Sequence, residues 1–306
     1  MPNSVETMTT PRSALPNSYT NVTAREIDFV NRFGRNVEAL RNVLGISRPI
    51  KKVNGTRLAS YIVDVTLEDG DVDPGCVIPY SKVSTTEVLH DDVSVEKYAK
   101  AVTIEEVKTY GAEVAIKKSD DAFLIKLQNL VTSKFYTQLL DDTAALTGTY
   151  STFAMAIAMA IGKVKDKFQS IDKDCTDVVV FVNTLDLYEY LGGTAPALAS
   201  VFGMEYLQNF LGARVLFASS KITKGKVVAI PIENLDMYYV DPGDSEYAAL
   251  GLEYRTDGET NLIGFHAQGN YSTAVGESYA LLGLKLWYEI ADGVAITTIS
   301  ANPSQP

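Results

Sequence analysis

Residues 61–80 read Tyr-Ile-Val-Asp-Val-Thr-Leu-Glu-Asp-Gly-Asp-Val-Asp-Pro-Gly-Cys-Val-Ile-Pro-Tyr. In the first part, Tyr61, Val63, Val65 and Leu67 alternate with Asp64, Thr66 and Glu68, the period of a strand with one apolar face. Glu68 to Gly75 is rich in turn-forming residues and reads as a tip. Cys76 to Tyr80 reads as the return arm; Pro79 cannot donate to a ladder, so this arm lies at an edge or leaves the sheet there. A two-stranded hairpin on its own is marginally stable in water. This one must lean on its own body or on a neighbouring subunit.

Working outward from the hairpin, residues 1 to about 22 are rich in Ser, Thr, Asn and Pro and read as a flexible arm. From Thr23 the apolar residues Ile27, Val30, Val37, Leu40 and Leu44 take helical spacing, with Thr23 and Glu26 placed as a capping box and Gly45 as the stop. On the other side, strand-like stretches cover Glu87 to Val95 and Ala101 to Val107. Ser119 and Asp120 then open a long helix with a core stripe of Leu124, Leu127, Val131, Phe135 and Leu139. If it extends to Ala145 it is about 40 Å long.

After Gly148 helix and strand alternate. Phe153, Ile157, Ile161, Val164 and Phe168 mark a helix, and the unbroken apolar run Val178 to Val182 after Asp177 predicts a strand buried on both faces. Asn183 is placed to cap a short helix, and Met204 to Leu211 reads as another, stopped by Gly212. Strands follow at Arg214 to Ala218, Lys226 to Ile230 and Leu235 to Val240; the part from Gly251 onward is mostly strand, with turns at Asp257-Gly258 and Asp292-Gly293. The fold class is α+β, with two subdomains and two projecting arms.

Length and composition bound the function. With 306 residues, 46% hydrophobic and 21% charged, the chain can bury a large core. A net charge of -11 argues against a reader of nucleic-acid sequence, which needs a basic stripe; the longest basic clusters are the pairs Lys51-Lys52 and Lys117-Lys118. Cys76 and Cys175 form no CxxC pair and, with His90 and His266, cannot supply a structural zinc site, so no metal and no cofactor is expected. The first twenty residues lack the apolar stretch of a signal peptide, and the longest apolar run, Phe153 to Ile161, is too short to span a bilayer. A reduced chain made in a cytoplasm is expected.

No catalytic set assembles from the motifs. Asp91-Asp92, Asp120-Asp121 and Asp141-Asp142 are candidate acid-base pairs, but read better as a strand end, a helix N-terminus and a solvated helix face. Asp69, Asp71 and Asp73 have the first spacing of a calcium loop, which Pro74 and Tyr80 then break. His90 and His266 lack every accompanying motif, and Gly192-Gly193-Thr194 lacks the lysine of a phosphate loop.

The serial order of these elements, with several local strings, resembles the major capsid proteins of tailed bacteriophages, which share the Hong Kong 97-type capsid fold. The strings are Val72-Asp73-Pro74-Gly75-Cys76-Val77-Ile78-Pro79-Tyr80-Ser81-Lys82 and Val95-Glu96-Lys97-Tyr98-Ala99-Lys100-Ala101-Val102-Thr103-Ile104-Glu105-Glu106. They are followed by the long helix, the Val-rich strand ending at Asn183, and Leu211-Gly212-Ala213-Arg214-Val215. The resemblance covers the chain from about residue 24 onward. It implies an N-terminal arm (1–53), an extended loop (54–85), a peripheral domain with a long spine helix (86–149 and 250–275) and an axial domain (150–249 and 276–306).

In that arrangement Tyr61, Val63, Val65, Leu67, Val77, Ile78 and Tyr80 are the candidate inter-subunit contacts. The resemblance further implies a non-enzymatic subunit that builds the pentamers and hexamers of an icosahedral head in the host bacterial cytoplasm. Its partners would be a separate scaffolding protein, because the arm is short, a portal, and enclosed double-stranded DNA contacted without sequence preference; no membrane is involved. Relatives that weld subunits together use a loop lysine, but the tip here carries Glu68, Asp69, Asp71 and Asp73, with Lys82 only at its base, so no cross-linking is expected. Two rival readings are an encapsulin-type compartment, which shares the fold, and a hydrolase using paired carboxylates.

Overall fold

The computed structural model describes residues 18–46, 49–73, 75–140, 145–192, 198–244, 247, 249–258 and 261–300. The first helix, α1 (Ser18–Leu44), buries Phe29, Phe33, Val37, Leu40 and Leu44 along one stripe. It starts at Ser18, not at Thr23, and Glu26 does not close a capping box: its buried carboxylate accepts the Ala267 amide N–H at 2.6 Å. Most of the expected arm, residues 1–17, lies outside the described residues. Gly45, at φ 82°, ends α1 as its sequence position implies.

Next come β1 (Ile50–Lys52), β2 (Thr56–Thr66), β3 (Lys82–Val93), β4 (Glu96–Thr103), α2 (Ile104–Tyr110) and α3 (Ala112–Leu140). The hairpin exists, but its return strand is β3, and residues 67–81 form the irregular tip. Pro79 has no N–H to give the ladder, whereas the β-branched and polar run Val83-Ser84-Thr85-Thr86 pairs with Val65 to Ile62. The strand expected over 101–107 stops at Thr103, whose hydroxyl accepts the Glu106 N–H while the Glu106 carboxylate accepts the Thr103 N–H. That reciprocal capping box starts α2. Helix α3 begins at Ala112, ahead of the expected Ser119, and is described to Leu140; residues 141–144 of the expected helix lie outside the described residues. Its 29 residues span about 43 Å.

The rest of the chain supplies β5 (Leu146–Tyr150), α4 (Phe153–Ser170), β6 (Val178–Val182), α5 (Thr184–Leu191), β7 (Ala199–Val201), β8 (Met204–Phe210), β9 (Ala213–Ala218), β10 (Lys226–Pro231), β11 (Leu235–Val240), β12 (Ile263–Asn270), β13 (Val275–Leu282), β14 (Lys285–Tyr288) and β15 (Ala295–Ile299). A seven-stranded sheet in the order β5-β15-β10-β6-β9-β8-β7 forms the centre. All five residues of β6 are buried, because both sheet faces are covered. Phe181 and Val179 join Phe217, Val215 and the stripes of α1 and α3 on one face. Val178, Val180 and Val182 point the other way and pack with Ile157, Val164 and Phe168 of α4.

The helix expected at Met204 to Leu211 is instead β8, the outer strand of a tight hairpin with β9. Leu211 and Gly212 both take positive φ, 50° and 85°, between the paired residues Phe210 and Ala213. A two-residue turn of that hand matches strand twist and forces the chain back antiparallel. Asn183 caps α5 as expected, its Oδ1 accepting the Leu185 N–H at 2.8 Å.

Two smaller sheets complete the body: β12-β13-β4, covered on one face by α1 and α3, and β1-β11-β14 beside the hairpin root. The boundary expected between 275 and 276 falls at the first residues of β13, which pairs along its length with both β12 and β4. A division that respects these hydrogen bonds keeps β13 with β4 and falls after Leu282.

Candidate assembly surfaces

Register fixes which side chains share a face of the β2–β3 hairpin. Tyr61 lies opposite Glu87, Val63 opposite Thr85 and Val65 opposite Val83, so these six stand on one face. The Tyr61 hydroxyl donates to Glu87 Oε1 at 3.0 Å. The opposite face presents Asp64 with Ser84 and Thr66 with Lys82. Beyond the paired region, Leu67, Val77, Ile78 and Tyr80 populate the tip. All seven expected contact residues are between 50% and 95% exposed. The structure thus brings them together on one projection that the described residues of its own chain leave uncovered. Exposed apolar clusters of this kind mark interaction surfaces more often than accidents.

The projection has a firm root. Leu58 and Val93 are buried against Val240 and Trp287, a small core separate from the main ones. A register shift between Arg57 and Ala59 interrupts the ladder at this point. The Val95 N–H is accepted by Asn54 Oδ1 at 3.0 Å, tying the two ends together. Root anchored and shaft exposed, the hairpin is held out as an arm.

Of the acid pairs raised by the sequence, Asp120-Asp121 is held in ion pairs. Asp120 is not at a helix N-terminus but well inside α3, where Arg25 grips it with Nε at 2.6 Å and Nη2 at 2.7 Å. Lys100 also donates to it, and Arg25 reaches on to Ser278 Oγ at 2.9 Å. Burial opposes ionisation of Asp120, but the hydrogen bonds from Arg25 and Lys100 outweigh it and hold the carboxyl below the usual range. The same burial pulls the Lys100 ammonium down. This cluster staples α1, β4, α3 and β13 together. No local pattern announces it, because its members are separated by up to 253 positions.

Asp120→Asn therefore leaves two cations without their shared anion and is expected to cost about 2 kcal/mol. The native carboxyl titrates below its ordinary value of 3.8, so its contribution is complete above that pH and fades as pH falls through the lowered native value. Melting curves from neutral to acid pH check this: the variant is less stable at neutrality, and its deficit shrinks toward the acid end.

Asp121 pairs with Arg32 at 2.6 Å, and Asp92 is exposed on β3. The side chains of His90 and Asp91, and all of Asp141, Asp142, Gly193 and Thr194, lie outside the described residues. His266 is half-exposed, with Nδ1 at 3.4 Å from Glu26 Oε1. Asp69 accepts the Asp71 N–H at 3.0 Å, a local turn bond. Among the described residues no cluster of His, Cys, Asp or Glu could hold a metal ion, and no helix is long and apolar enough to cross a membrane. Cys76 is exposed on the tip; burial pushes the Cys175 thiol up to about 11.

No family model matches the chain, and no curated protein does. Solved structures do. The capsid asymmetric unit of cyanophage A-1(L) aligns with a TM-score of 0.51 at 11% identity, over 85% of this chain and 92% of that one. A chain from Mycobacterium phage Patience aligns at 0.51 and 8% identity, over 90% and 88%. The asymmetric unit of the bacteriophage PhiM1 mature capsid aligns at 0.50 and 9% identity, over 83% and 85%. At such identities the likeness is one of fold, and it extends over nearly the whole length of each chain.

Proposed function

We propose that this chain, which has the fold of phage capsid proteins, is the major capsid protein of a tailed bacteriophage. It assembles into the pentamers and hexamers of an icosahedral head that encloses double-stranded DNA. One observation carries the reading beyond fold: the rooted hairpin whose apolar face and tip stay exposed on the isolated subunit. A soluble subunit keeps such an arm when a neighbour covers it.

On this reading residues 1–53 are the arm and the β2–β3 hairpin is the extended loop. Helix α3 is the spine of a peripheral domain that also holds the β12-β13-β4 sheet, and the seven-stranded sheet with α4 and α5 is the axial domain. No side chain acts as a catalyst. The acidity of the chain suits a wall that confines DNA without gripping it, and a separate scaffolding protein and a portal are its partners during assembly in the bacterial cytoplasm.

Expression together with the neighbouring genes tests the proposal. Closed particles that protect double-stranded DNA from nuclease are expected; a compact monomer, or particles loaded with protein cargo, would contradict it. The lysine-free tip gives a second expectation: boiled particles run as a single subunit band on a reducing denaturing gel, and a ladder of covalent oligomers would refute it.

A further inference from the structure

The parallel strands β6 and β9 end side by side, at Val182 and Ala218. In open sheets covered by helices, ligands bind in the crevice outside the carboxyl ends of parallel strands. Here that crevice is a cavity of about 1040 Å³ between the strand ends and α3. Lys126 and Ser133 line it from the helix, seven positions and so two turns apart. Ser219, Ser220 and Lys221 line it from the segment that leaves β9.

Lys221 decides the chemistry. Its Nζ donates to the Asn129 carbonyl at 2.7 Å and to the Thr132 hydroxyl at 3.1 Å. Both acceptors are neutral, and an ammonium has three N–H donors, so one remains for a ligand. Burial pulls this ammonium below its ordinary value of 10.5, and among the described residues no carboxylate counters the pull. Lys100 is drawn down in the same way but has Asp120 against it. A half-buried cation that meets only neutral groups is costly, and an arriving anion removes that cost. Lys126 sets a second positive charge, exposed, on the same cavity. The single acid among the lining residues is Glu205, which is exposed on β8 and screened by water. In a chain of net charge -11, a recess with two cations to one acid reverses the prevailing sign.

We propose that this cavity binds a terminal phosphate group, held by the remaining Lys221 N–H, the Lys126 ammonium and the hydroxyls of Ser133 and Ser220. A phosphate monoester carries about -1.5 to -2 charges at neutral pH and three acceptor oxygens, which suits two ammoniums and a set of hydroxyl donors. A carboxylate brings one charge and two oxygens. A backbone diester in a duplex brings one charge and cannot turn its oxygens into a recess. The group is therefore inorganic phosphate, or the monoester end of a mononucleotide or of a nucleic-acid strand. The site does not depend on the shell reading.

Calorimetric titration of the purified full-length chain tests it. Inorganic phosphate at low salt and neutral pH is expected to bind with a Kd of about 1 mM, and acetate at equal ionic strength to give no heat. Lys126→Gln is expected to weaken phosphate about tenfold at an unchanged melting temperature, because the side chain is exposed. Lys221→Gln weakens it at least as much; since that change also frees Asn129 and Thr132, Ser220→Ala, an exposed position, serves as the second variant and weakens phosphate a few-fold. Tighter binding of a nucleoside monophosphate than of its nucleoside assigns a free ester as the source. Tighter binding of a 5′-phosphorylated duplex than of its unphosphorylated twin assigns a strand end. The proposal is overturned if phosphate gives no heat, or if its affinity is unchanged in Lys126→Gln and Ser220→Ala. It is overturned equally if both duplexes bind alike while phosphate does not, which would mean contact with the backbone alone.

Discussion

Replacing Val63 and Val65 together by serine abolishes particle formation and leaves the melting temperature of the subunit nearly unchanged. Both side chains are already exposed in the single subunit, so folding loses little when they are truncated. Assembly loses much. Each valine buried against a neighbour contributes about 1.5 kcal/mol, so the pair is worth about 3 kcal/mol at every interface, over a hundredfold in the local association constant. A shell multiplies that loss, because each subunit is held by several such contacts at once. Sedimentation velocity reads the assembly and calorimetry reads the fold. A drop of several degrees with assembly intact would mean that the arm serves its own chain.

The largest effect on stability is expected from Phe181→Ala. Phe181 lies at the middle of the sheet, stacked on Phe217 at 5.4 Å between centroids and met edge-on by Phe135 and Tyr136 at 5.7 and 5.6 Å. Its removal opens a cavity lined by elements that cannot collapse together, since α3 is stapled to α1 through Arg25 and Asp120. A loss of about 4 kcal/mol follows, lowering the melting temperature by about 6 °C and drawing much of the expressed protein into the insoluble fraction. A melting temperature within two degrees of wild type would show that the strand is not the centre of the fold.

The contrast between these variants matches what could be read in the sequence. Val178 to Val182 was legible as a central strand because only burial on both faces tolerates five consecutive apolar residues. The stripes of α1, α3 and α4 were legible because each buries one face at helical spacing. The β8 strand was not. Met204, Leu207 and Leu211 sit at helical intervals, and the positive φ at Leu211 is invisible in a residue type that seldom adopts it. The return strand of the hairpin was missed for the opposite reason: Cys76-Val77-Ile78 looks more like a strand than Val83-Ser84-Thr85-Thr86 does, but the ladder needs donors through its length and Pro79 withholds one.

The alternation of Tyr61, Val63, Val65 and Leu67 was legible in the sequence, whereas a contact role for them and for Val77, Ile78 and Tyr80 came only from the resemblance; all seven are exposed on the single subunit. The charges that matter were harder to sort. Asp120-Asp121 and Lys117-Lys118 look alike as short runs of like charge. Only the fold separates acids paired with arginines from lysines facing outward. Sequence spacing carries period and capping, but it does not carry partners separated by a hundred positions or more.

An electron-microscopy reconstruction of assembled particles at side-chain detail tests the central claim most directly. Density for the shaft and tip of the hairpin is expected to lie on an adjacent subunit, with Tyr61, Val63 and Val65 covered by it. The account fails if the hairpin is found folded against its own subunit, or standing uncovered in a particle that lacks closed symmetry.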